Sequence, residues 1–64
     1  MAEGELFGIP LTEQIATVVR EIKMRESVYP RRVESGRMTQ ELADREIGRM
    51  TAVLETLKKV LDDE

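Results

Sequence analysis

Sixty-four residues carrying thirteen acidic and ten basic side chains, for a net charge of −3, make one small domain whose bulk charge does not suit a polyanion binder. A chain this short buries only about 60% of the surface its unfolded form exposes, so a lone core is marginal without disulfides, a metal or a partner chain. There is no Cys and no His, which excludes disulfides and removes the usual zinc ligands, so oligomerisation is the support that remains.

The charges are unevenly placed. Residues 1–13 hold Glu3, Glu5 and Glu13 with no base, and the last three residues are Asp62, Asp63 and Glu64. Between them, residues 20–37 carry six bases against three acids, a surplus of three. No segment has the basic start and apolar run of a signal peptide, and none is apolar over a bilayer-spanning length. A secreted chain of this size would be expected to be cross-linked, so the expected location is cytoplasmic, with no membrane association.

Residues 1–10 read as a flexible acidic tail, because Gly4, Gly8 and Pro10 interrupt any regular pattern. Leu6, Phe7 and Ile9 give that tail something to bury, either on the protein itself or, as a short linear motif, on a partner. Thr12 is the expected N-cap of a first helix over about 12–29, with Glu13 suited to the positive end of the helix dipole. Leu11, Ile15, Val18, Ile22 and Tyr29 recur at helical spacing, and Arg25 fills the stripe position between the last two. Its stem can lie along apolar surface, and Glu21 sits four residues before it as an ion-pair partner. The helix is expected to stop at Val28 or Tyr29, since the residue before a proline is disfavoured in the α region.

Pro30 then suits the first turn of a short helical segment through Ser35, with Val33 inward and Gly36 as its left-handed closing residue. Thr39 is the next N-cap, and Met38 and Ala43 are placed as a hydrophobic staple around it. From there Ala43, Ile47, Met50, Leu54, Leu57 and Leu61 form a heptad seam, widened on one flank by Val53 and Val60. Glu41–Arg45 and Glu55–Lys59 are spaced as ion pairs on the polar side. Gly48 costs this helix about 1 kcal/mol relative to Ala and suggests a close helix approach.

The expected fold is all-α: a hairpin domain over residues 11–64, with antiparallel helices of about 12–29 and 39–62 joined by a short helical turn segment. One hairpin leaves much of the wide 42–61 face uncovered. Two would cover it, so pairing into a homodimeric four-helix bundle is expected.

Enzyme chemistry has little to work with: no His for acid–base transfer, no Cys nucleophile, Ser27 and Ser35 without a His partner, and no phosphate-binding glycine loop. Glu41 with Asp44 reads as a solvated face, and the acidic terminus lacks calcium-loop spacing. No catalytic residue, metal or cofactor is expected. The remaining constellation is Arg25, Tyr29, Arg31, Arg32 and Arg37 at the turn end. The structural reading has Tyr29 plug the turn while the arginines keep it soluble. A protein-contact reading rests on the bidentate geometry of Arg and the interface preference of Tyr, and a nucleic-acid reading on phosphate contact and base stacking.

Arg25, then Val28-Tyr29-Pro30, Val33, Gly36-Arg37-Met38-Thr39, Ala43, Glu46-Ile47, Met50, Ala52-Val53 and Thr56-Leu57 resemble a pattern in small uncharacterised proteins of tailed phages and prophages of proteobacteria. The resemblance covers about residues 11–61. It implies a short cytoplasmic phage-type accessory protein and no particular activity. Taken with the residues, it leads to the expectation of protein–protein contact with a host or phage protein, and nucleic-acid binding through the basic turn is the alternative.

Overall fold

In a computed structural model that describes residues 5, 6 and 8–64, β1 (Glu5–Leu6) and β2 (Ile9–Pro10) precede two long helices, α1 (Leu11–Glu34) and α2 (Gln40–Asp62). The helices fold back on each other as a hairpin measuring 45 × 18 × 14 Å. The sequence suggested an irregular tail, but β1 and β2 pair antiparallel, Glu5 with Pro10 and Leu6 with Ile9, and Gly8 takes φ +79 in the reversal. Ile9 remains 44% exposed, so whatever cover it gives the hairpin is partial. The expected burial of Leu6 and Phe7 concerns side chains outside the described residues.

Thr12 is not the cap of α1. The helix starts at Leu11, which is buried, and Pro10 takes the N-cap position with no side-chain cap. Thr12 then lies inside the first turn, while Gln14 Nε2 donates back to the Ile9 carbonyl at 3.0 Å.

The expected break at Val28 or Tyr29 does not occur either, and the separate turn segment is absorbed into α1, which continues through Pro30 to Glu34. Two local costs are being overridden: the proline has no N–H for the Glu26 carbonyl, and it disfavours helical Tyr29. Burial of Tyr29 to 8% exposure holds that residue in place. Pro30 itself is exposed, so the carbonyl it leaves unpaired is on the solvent side of the helix.

Gly36 closes the helix as the sequence suggested. Its φ is +78, Gly36 N–H donates to the Val33 carbonyl at 3.1 Å, and Arg37 N–H donates to the Arg32 carbonyl at 2.8 Å. Those two bonds form a Schellman closure that satisfies carbonyls the helix end leaves open. Thr39 caps α2, its hydroxyl accepting from Leu42 N–H at 3.0 Å. Ala43 is 2% exposed, and Met38 is half-buried on the other side of that cap, as a staple requires.

Along the seam, Ile47, Met50, Leu54, Leu57 and Leu61 are all half-buried. Among the described residues only Leu11, Tyr29 and Ala43 are buried, and no large side chain is fully enclosed. The chain exposes 4933 Å². A compact monomer of its 7.3 kDa would expose about 4,200 Å². Two helices therefore do not make a closed core.

Two smaller expectations are corrected. A Cβ on Gly48 would meet nothing within 4 Å, so this glycine marks no close approach inside the hairpin. Glu55 lies 3.6 Å from Lys58, and it does not pair with Lys59. Glu41–Arg45 forms as spaced, at 3.1 Å. No helix among the described residues is long and apolar enough to cross a membrane.

Candidate functional site

The hairpin gathers the five turn-end residues into two distinct groups. Tyr29 faces inward, and the guanidinium carbons of Arg25 and Arg32 each lie 5.9 Å from its ring centroid, within cation–π range. Arg25 is also tied down on both sides. Its Nε donates to Glu21 Oε1 at 2.9 Å, and its Nη1 reaches the Glu46 carbonyl on α2 at 3.2 Å. The Glu21 hydrogen bond keeps the Arg25 pKa above its ordinary value.

This arrangement makes Arg25 and Tyr29 structural. A ring that is 8% exposed has no free face for a base to stack on, and a guanidinium occupied by a carboxylate, a carbonyl and a ring has little left for a partner. Arg31, Arg32 and Arg37 are exposed, and none of the three pairs with a carboxylate among the described residues. Arg31 and Arg32 lie in the last turn of α1, where positive charge complements the helix dipole. The turn thus offers three cations without a carboxylate partner among the described residues, Arg31 and Arg37 in the open and Arg32 over the ring that plugs the end. It forms no pocket among the described residues and no cluster of potential metal ligands.

A second surface lies along the helices. On α2, Leu42, Glu46, Arg49, Val53 and Val60 recur at steps of four, three, four and seven, which places them in one stripe beside the seam. Leu42, Val53 and Val60 are 37%, 45% and 44% exposed. On α1 the corresponding flank carries Glu21, Met24 and Val28, with Met24 47% exposed. In an antiparallel pair, flanks turned the same way from the seam lie on the same side. The Arg25 hydrogen bond to the Glu46 main chain crosses between the two helices beside these flanks. This side of the hairpin therefore carries an apolar patch at the turn end, from Met24, Val28 and Leu42, and two exposed valines, Val53 and Val60, further along α2, with the Glu21–Arg25 and Glu46–Arg49 ion pairs and Gln14, Thr17 and Thr56 between and beyond them.

The sequence signalled this flank through Val53 and Val60. Leu42 and Met24 fall outside the heptad seams and carry no such signal by that pattern. The step pattern around Val53 would have found Leu42.

No family model, curated protein or solved structure matches the chain.

Proposed function

We propose that the chain is a small phage-type accessory protein that works by protein–protein contact as a homodimeric four-helix bundle in the cytoplasm. The carrying observation is the uncovered apolar flank. The exposed surface exceeds that of a compact monomer by about 700 Å². A standard interface removes roughly 800 Å² per partner, and a second copy brings an identical flank to cover this one. The phage-type assignment rests on the Val-Tyr-Pro and Gly-Arg-Met-Thr resemblance.

In this reading the bundle displays Arg31, Arg32 and Arg37 as the contact surface for an acidic patch on another protein. Arg suits that role because its planar fork binds carboxylate bidentately. Nucleic acid is the less favoured ligand, since Tyr29 is buried and the chain carries −3 overall.

Analytical ultracentrifugation at micromolar concentration is the test. The wild type should sediment as a dimer, and Leu54→Asp should lose both dimer and most helicity, because an unpaired buried charge is severely costly. A stable, fully helical monomer overturns the reading. A salt-sensitive shift of mixed nucleic acids in a gel would move the assignment to the nucleic-acid class.

A further inference from the structure

We infer that the second copy docks on the apolar flank with its turn at the opposite end, so that α2 of one copy lies antiparallel over α2 of the other and the dimer displays one basic turn at each end. This inference rests on the homodimer reading and goes on to fix its geometry. Face-to-face pairing of two hairpins has two symmetric solutions. With the turns at the same end, each α2 covers the other copy's α1. With the turns at opposite ends, each α2 covers the other α2.

Charge separates the two solutions. The turn, residues 29–39, carries three bases against one acid, a surplus of two. The open end, residues 11–17 with 55–64, carries five acids against two bases, a deficit of three. The hairpin is therefore charged in opposite senses at its two ends, over a length of 45 Å. Same-end pairing stacks like charges at both ends. Opposite-end pairing sets each basic turn beside the other copy's acidic end, and within a Debye length of about 8–10 Å that difference is felt.

The α2 stripe is also self-complementary in that sense. Reversed about its midpoint, Leu42 meets Val60 of the second copy, so the two apolar ends of the stripe cover each other. A consequence for function is that the dimer has two contact sites facing away from each other, each flanked by acidic side chains. Such a site accepts a discrete carboxylate patch more readily than an extended polyanion.

The chain has no Cys, so introduced thiols report alone. Leu42→Cys protein mixed with Val60→Cys protein should form a disulfide-linked heterodimer. Leu42→Cys mixed with Val28→Cys should not, and circular dichroism checks that each variant stays helical. In parallel, raising salt from about 0.01 to 0.15 M should weaken the wild-type dimer several-fold, because attraction between unlike ends is screened. Cross-linking of Leu42→Cys to Val28→Cys, or to neither, or a dimer that tightens with salt, overturns the orientation while leaving the homodimer intact. A monomer by ultracentrifugation overturns the homodimer reading itself.

Discussion

Arg25 Nη1 donates to the main-chain carbonyl of Glu46 at 3.2 Å, the one side-chain hydrogen bond that joins α1 to α2 among the described residues. It ties the two helices near the turn: with 25 beside 46, Tyr29 comes level with Leu42 and Ile22 with Arg49, each next to a seam position of α2. Tyr29 and Ala43, the smallest side chain of the seam, are both buried. The interruption in the first apolar stripe is therefore a cross-link between the helices.

Arg25→Ala should accordingly lower the urea midpoint clearly more than Arg45→Ala. Arg45 also pairs with a carboxylate four residues before it, but its side chain is 51% exposed and it touches no other helix. Exposed pairs of that kind are worth little. Equal effects of the two substitutions would mean that the Glu46 contact adds nothing to the hairpin.

Gly48→Ala should raise stability by about 1 kcal/mol, the helix-propensity difference between the two residues. The added methyl meets nothing within 4 Å. Gly48 also lies off the Leu42–Val53–Val60 stripe, so the dimer dissociation constant should not change. A variant that melts lower, or dissociates more readily, would show that a partner helix approaches there.

Much of the hairpin is legible in the sequence because its signals are local. Thr39 and Gly36 act within four residues of themselves, and the 43–61 seam repeats for almost the whole of α2. The end of α1 was not legible, because two tendencies meet at residues 29 and 30. The proline disfavours a helical Tyr29, while burial of the tyrosine between two guanidiniums favours it, and only the second depends on a chain reversal. The basic turn was visible as a composition bias. Its division into two inward and three outward residues was not, since it follows from which side of α1 meets α2.

Gly36→Val should destabilise by more than ~1 kcal/mol. At φ +78 a β-branched side chain is strained, whatever space surrounds it. Thermal unfolding followed by circular dichroism reads the change, and an unaltered midpoint would mean the Schellman closure is dispensable.

Pro30→Ala should stabilise by about 2–3 kcal/mol. A proline inside a helix costs about 3 kcal/mol, offset by up to about 1 kcal/mol because it also restricts the unfolded chain. Alanine restores an N–H facing the Glu26 carbonyl at an exposed position. Were the proline instead needed to shape the turn, the variant would melt lower than wild type in the same experiment.

The turn arginines should separate by role. Arg32 lies over the Tyr29 ring, a contact worth roughly 0.5–1 kcal/mol at exposed sites, so Arg32→Glu should lower the melting temperature. Arg31 and Arg37 contact neither that ring nor a carboxylate among the described residues. The double variant Arg31→Glu, Arg37→Glu should therefore melt within a few degrees of wild type at dimer-saturating concentration. It changes the turn from three bases against one acid to one base against three acids, which places acid beside acid in an opposite-end dimer. Its dimer should consequently be weaker than wild type at low ionic strength, and the gap should close as salt screens the ends. In a same-end dimer the substitution would leave the repulsion as it was, since two turns of net −2 repel as two turns of net +2 do. An affinity unchanged at every salt concentration, or one that rises at low salt, therefore overturns the opposite-end arrangement.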